Sequence, residues 1–160
     1  PEAQLDRFML MIKVGYPSKA EERQIMDLVT GAKVPEAEQV SSLEEVLAAS
    51  AVVNKIYING DLRDYIVDVV QATRDPRAFG LDSIAPLIDF GASPRATIYL
   101  AMAARAHAFL RQRGYVSPED IKAVGTDVLR HRIVLSYEAE AEEITTEDNG
   151  RQVFDHIEVP

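Results

Sequence analysis

Apolar residues recur at helical spacing along most of the chain, and polar helix-start residues stand at the breaks between them. Leu62, Tyr65, Ile66, Val69 and Val70 follow the i, i+3, i+4, i+7, i+8 pattern behind the turn Asn59-Gly60, with Asp61 as N-cap, which predicts a helix ending near Thr73. Ser18-x-x-Glu21 and Ser42-x-x-Glu45 are capping boxes. The first predicts a helix to Thr30, with Ile25, Leu28 and Val29 as its stripe and Gly31 as its stop. The second predicts a helix from Leu43 to about Asn54 around Val46, Leu47 and Val53.

The best-specified helix follows Gly91-Ala92. Ser93 is a good N-cap and Pro94 suits the first helical position, where no amide donor is needed. Ile98, Met102, Arg105 or Ala106, and Phe109 supply the periodic face, six alanines lie between positions 96 and 108, and Gly114 is expected to close the helix. Ser117-Pro118-Glu119-Asp120 opens another helix, which Gly125 is expected to interrupt.

Extended segments are fewer. Residues 8–14 form a nearly continuous apolar run, bounded by Gly15 and Pro17, that fits a strand buried on both faces of a parallel sheet. Lys55–Ile58 reads as a short strand, and Ile133–Leu135 is a candidate partner for it. Residues 31–41, with Gly31 and Pro35, and residues 74–90, with Asp75-Pro76, Gly80 and Pro86, read as loops. From 145 the pattern starts like a helix, with Thr146 as a cap and Val153, Phe154 and Ile157 apolar. Asn149-Gly150 weakens it, leaving a tail or a short helix. The expected fold is therefore mainly α: a helical bundle with a strand at its front and a possible small two-stranded sheet.

Composition narrows the classes without naming one. With 160 residues, 47% apolar and 27% charged, the chain is one ordinary globular domain in size. It has no cysteine, no apolar run long enough to span a membrane and no signal-peptide pattern, so a cytoplasmic location is expected. A net charge of −9 argues against broad attraction to nucleic acid. Beginning at Pro1 without an initiator methionine, the chain reads as an excised piece.

His107, His131 and His156 lie far apart without metal-ligand spacing, so no metal site is expected. Like charge from Arg130 and Arg132 should disfavour protonation of His131. Neither a nucleophile elbow nor a Gly-x-x-x-x-Gly-Lys-[Ser/Thr] phosphate cradle occurs. Arg95 is the exception that carries candidate chemistry. A cation in the first turn opposes the helix dipole by about 0.3–1 kcal/mol, and a nearby anion would reverse that penalty. Free amides plus a guanidinium make a phosphate-sized site; the plain alternative is a solvated arginine at a helix end. Arg7, Arg74 and Arg77 read by position as surface charges, as do Glu138, Glu140, Glu142 and Glu143.

Three motifs in order change those odds: Pro1-Glu-Ala-Gln-Leu-Asp-Arg-Phe8, Gly91-Ala-Ser-Pro-Arg-Ala96, and Leu129-Arg-His-Arg-Ile133 with Ser136-Tyr-Glu-Ala-Glu-Ala141. Together they resemble the C-terminal part of a MoxR-family AAA+ ATPase over nearly the whole chain. The resemblance implies that residues 1–14 end a nucleotide-binding core, that 15–144 form the helical lid domain, and that 145–160 are a C-terminal tail or short helix. It implies catalytic roles for Arg7, as arginine finger acting on a neighbouring subunit's nucleotide, and for Arg95, as sensor 2 acting on its own or a neighbour's nucleotide. Tyr16, Pro17, Ser93, Pro94 and Arg95 would contact nucleotide.

The parent would use ATP and Mg²⁺, assemble as a homo-oligomer, a hexameric ring, and work with von Willebrand factor A-type partners to remodel or activate other proteins. The chain by itself, lacking Walker motifs, is expected to bind none of these tightly and not to hydrolyse ATP. Arg7 and Arg95 have no evident reason to converge. The competing reading is a stand-alone helical protein–protein interaction domain with no nucleotide role.

Overall fold

The computed structural model describes residues 2–31 and 36–160. Pro35, placed above in the 31–41 loop, lies outside the described residues. In order, the elements are α1 (Glu2–Leu5), α2 (Lys19–Thr30), α3 (Leu43–Val53), α4 (Gly60–Arg74), β1 (Ile88–Phe90), α5 (Pro94–Leu110), α6 (Pro118–Leu129), β2 (Val134–Leu135), α7 (Tyr137–Ala141) and α8 (Thr146–His156). The chain divides into two units, residues 12–50 and residues 1–11 with 51–160.

In the 12–50 unit both capping boxes form. Ser18 N–H donates to Glu21 Oε2 at 2.7 Å and Ser42 N–H to Glu45 Oε2 at 2.8 Å. Neither α2 nor α3 buries a residue, and Ile25, Leu28, Val29, Val46 and Leu47 are all exposed. Pro17 borders an apolar groove with Ile25 and Leu28 on α2.

The larger unit holds the core. Helix α4 buries Leu62, Tyr65, Ile66, Val69 and Val70, the five positions its periodicity marks. Helix α5 does not bury its expected stripe: Ile98 and Met102 are exposed, while Ala96, Leu100, Ala103, Ala104 and Ala108 are buried. Small side chains let the backbone of a neighbour approach closely, and α5 packs most extensively on α6. The end of α5 differs as well. Its last helical residue is Leu110, Gln112 takes the left-handed turn (φ 58°), and Arg113 N–H returns to Ala108 O at 2.9 Å. Gly114 instead accepts from Tyr57 N–H at 3.0 Å, in a single parallel bridge of Tyr57 with Tyr115.

The small sheet exists, but with other strands than expected. Val134–Leu135 pairs antiparallel with Ile88–Phe90 from the 74–90 connection, not with residues 56–58. That connection also contains two 3₁₀ turns, Pro76–Phe79 and Ala85–Leu87. Residues 8–14, expected to be a strand, form neither helix nor strand.

Two further departures share one cause. Helix α6 runs through Gly125 unbroken, and α8 forms despite Asn149-Gly150. Thr145, rather than Thr146, caps α8, exchanging bonds with Asp148. The Phe154 ring lies over Gly125, where a Cβ would sit 2.1 Å from its Cζ. Burying Phe154 and Val153 contributes about 1.5–3 kcal/mol each, more than the roughly 1 kcal/mol that a helical glycine costs. At the other end of α6, fully buried Asp120 accepts from Arg113 (2.5 and 2.8 Å), His107 Nδ1 (2.7 Å) and Ser117 N–H (2.8 Å), tying α5 to α6. Burial pushes its pKa up, but these donors outweigh it and hold the carboxyl well below the usual range.

No helix among the described residues is long and apolar enough to cross a membrane. Gly125→Ala should destabilise the protein by about 1–3 kcal/mol through collision with Phe154, against the gain of about 1 kcal/mol usual for a helical glycine. Chemical denaturation measures the sign, and the double variant with Phe154→Leu should recover part of the loss.

Candidate functional site

Each residue of the Gly91–Ala96 motif has a structural reason. Gly91 lies against the last turn of α4, where a Cβ would be 2.2 Å from the Thr73 carbonyl oxygen. Ala92 is fully buried, and its N–H donates to Thr73 Oγ1 at 2.9 Å, while Thr73 donates in turn to Val70 O at 2.7 Å. Ser93 caps α5, its Oγ accepting from Arg95 N–H at 3.2 Å, and Pro94 starts the helix. Ala96 is fully buried. The packing fixes the direction in which the first turn of α5 presents Arg95.

An anion does lie at this first turn, and it belongs to the chain. Both carboxylate oxygens of Asp6 stand 2.9 Å from Ser93 Oγ, and Arg95 Nη1 donates to Oδ2 at 3.0 Å. Arg132 Nε donates to Oδ1 at 3.2 Å. Burial raises the Asp6 pKa, but the bonds from Arg95 and Ser93 and the charges of Arg132 and Arg95 more than reverse this, so it lies below its ordinary value. A carboxylate here offsets the penalty of a cation at the N-terminus of α5.

The residues after Asp6 are held by their backbone. Arg132, whose side chain has no solvent exposure, donates to the carbonyls of Asp6 (3.0 Å), Phe8 and Met9 (3.3 Å), and within α6 to that of Val128. Tyr99 Oη donates to Arg7 O at 3.0 Å, and its ring centroid lies 5.0 Å from the Arg132 guanidinium. His131 Nε2 lies 2.9 Å from Phe8 O, which requires the proton on Nε2. Burial, then the charges of Arg132 and Arg130, pull the His131 pKa down despite the bond to Phe8, so like charge is the smaller cause. Arg130 completes the row, donating to Met11 O, to Asp127 at 2.8 Å and to Glu147 at 2.8 Å, while Met11 N–H donates to Asp127 O at 2.9 Å.

Of the residues singled out in the sequence, Ser93, Pro94 and Arg95 share the first turn of α5, and Asp6, the neighbour of Arg7, is bonded to two of them. Asp6, one peptide bond before Arg7, is ion-paired with Arg95, so the segment that carries Arg7 is anchored at this turn. Both side chains are exposed, Arg95 by 57% and Arg7 beside the Phe8 ring at 5.2 Å. Tyr16 and Pro17 belong to the 12–50 unit, and Tyr16 is fully exposed. Sequence reasoning missed Asp6, Tyr99 and Arg132. A hint was available: Leu129-Arg-His-Arg-Ile133 places cations between apolar residues, a pattern that buries at least one of them. Among the described residues, no group of three His, Cys, Asp or Glu side chains is placed to hold a metal.

Comparison with known proteins adds to this geometry. The AAA lid domain family matches residues 82–153. The chain is 42% identical over its full length to the chaperone MoxR1 of Mycobacterium tuberculosis and 33% identical to the protein MoxR of Methylorubrum extorquens. It is also similar to the crystal structure of a candidate ATPase from Cytophaga hutchinsonii, with a TM-score of 0.95 at 41% identity over the whole chain. It spans 42% and 50% of the two relatives and 49% of the crystallised chain.

Asp6→Asn should lower stability at neutral pH by about 3 kcal/mol, the low end for a buried pair because Asp6 keeps 17% side-chain exposure. Because its folded pKa is depressed, this contribution is present above the unfolded value of about 4 and is lost as pH falls through the folded value. The difference in unfolding free energy between wild type and Asp6→Asn, measured from pH 7 down to pH 2, should therefore narrow below about pH 4.

Proposed function

The chain belongs to the MoxR family of AAA+ ATPases and carries an AAA lid domain, and from that premise we propose that it is the lid and oligomerisation part of an ATP-hydrolysing, chaperone-like machine, with Arg7 as arginine finger and Arg95 as sensor 2. The observation that supports this reading is the Asp6–Arg95 ion pair, which ties the segment carrying the exposed Arg7 to the first turn of α5. A finger acts on a neighbouring subunit's nucleotide, so an Arg95 tied to the finger's own segment addresses that same nucleotide. Both guanidiniums then stabilise charge developing on the γ-phosphate, a kind of contribution worth about 10³–10⁵ in rate for arginine fingers.

Asp6 has a second consequence under this reading. Its carboxylate holds the Arg95 guanidinium in one orientation before nucleotide arrives. Ser93 and Pro94 shape that end of the helix; Tyr16 and Pro17 are proposed as nucleotide contacts in their own right. ATP and Mg²⁺ are held by parts of the parent outside this chain. The working assembly is a homo-oligomeric ring, hexameric in this reading, acting on partner proteins of the von Willebrand factor A type.

Arg7→Ala and Arg95→Ala should each reduce ATP turnover of the full-length gene product by at least about tenfold while leaving its assembly intact. Steady-state ATPase assays with sedimentation check both, and unchanged turnover in either variant removes that residue's role. The purified chain itself should show no Mg²⁺-dependent ATPase activity above background, because phosphoryl transfer needs the phosphate cradle, the metal and a positioned water together. Turnover by the chain that disappears on Arg95→Ala would overturn the lid assignment.

A further inference from the structure

We propose that Arg132, with Tyr99, is a positioning residue for Arg7: the Leu129–Ile133 motif serves to fix the backbone from which the finger projects. The proposal rests on the reading of Arg7 given above. A buried guanidinium that only held the lid together would find its acceptors within the lid. Arg132 finds one there, the Val128 carbonyl, and takes all its others from residues 6–9: the Asp6 carboxylate and the carbonyls of Asp6, Phe8 and Met9.

The carbonyl these leave over, that of Arg7, is taken by Tyr99 Oη at 3.0 Å, from a ring that lies against the same guanidinium. His131 adds a second donor to Phe8 O. Arg7 thus has its own carbonyl and those on both sides held, while its side chain stays exposed. That is the arrangement expected of a side chain that must meet a reacting group at a set distance, since a misplacement of about 1 Å can cost about 10²-fold in rate. Lysine could supply the charge of Arg132 but not its planar fork of five donors, so the geometry calls for arginine.

The test uses the full-length gene product and three variants. Arg132→Lys keeps the charge and removes the fork. Tyr99→Phe keeps the ring and removes only a hydroxyl, so folding is preserved even if Arg132→Lys proves unstable. Arg7→Ala reports the finger itself. Expected are a fall in kcat of at least about tenfold for Arg132→Lys and about threefold for Tyr99→Phe, with KM for ATP within about twofold of wild type.

In the Arg7→Ala background Tyr99→Phe should cost nothing further, because the residue it positions is gone. Trypsin should cleave the Arg7–Phe8 bond several times faster in Arg132→Lys than in wild type, as the segment comes free. If Arg7→Ala leaves turnover unchanged, the proposed function of Arg7 falls and the positioning role with it. If Arg7→Ala lowers turnover but Tyr99→Phe does not, or lowers it equally in both backgrounds, the positioning role alone is overturned.

Discussion

A guanidinium taken wholly out of water must be given an anion and a full set of acceptors, or folding loses several kcal/mol. Arg132 is such a group, and much of the larger unit is arranged to answer it. Helix α6 ends one turn before it and supplies a carbonyl, α5 supplies the Tyr99 ring, and residues 6–9 supply the carboxylate and the remaining carbonyls. The segment carrying Arg7 is therefore bound to the helical body through its backbone, so its apolar side chains are not what attaches it. That is consistent with Phe8, Leu10 and Met11 remaining exposed while their neighbours' carbonyls are satisfied.

The same demand explains how a helix N-terminus comes to present a cation. Alone, Arg95 would oppose the dipole of α5. With Asp6 against Ser93 and Arg95, the local sum becomes favourable and the carboxylate stays ionised to below its ordinary pKa. One aspartate therefore answers the buried Arg132 and the exposed Arg95 together, joining the interior of the larger unit to the first turn of α5.

These polar contacts work only on a rigid frame, which comes from close helix packing. The alanine face of α5 admits α6, Gly125 admits Phe154 of α8, and Gly91 admits the end of α4. At the two glycines an added methyl group would lie 2.1 Å from the Phe154 ring and 2.2 Å from the Thr73 carbonyl oxygen, as expected of an interior packed to crystal-like density. The first turn of α5 is thereby fixed in direction, and with it Arg95.

What the sequence determined by itself was local. The amphipathic run of α4, the capping boxes of α2 and α3, and the Ser93-Pro94 and Ser117-Pro118 starts of α5 and α6 depend on residues within one or two turns, so they were legible without the fold. The three motifs pointed to the family. Tertiary structure decided the rest. Which face of α5 is buried turned on the neighbour that alanines admit, not on the hydrophobicity of Ile98 and Met102. The survival of α6 and α8 through glycines turned on Phe154, distant from Gly125 in sequence. The partner of Val134–Leu135 came from a connection that reads as loop. Above all, the link between Asp6, Arg95 and Arg132 joins residues some ninety to one hundred and thirty positions apart, as the separations of 89 and 126 record. Periodicity and propensity report on neighbours along the chain, whereas the energy of a buried charge depends on whatever the fold brings within about 3 Å of it.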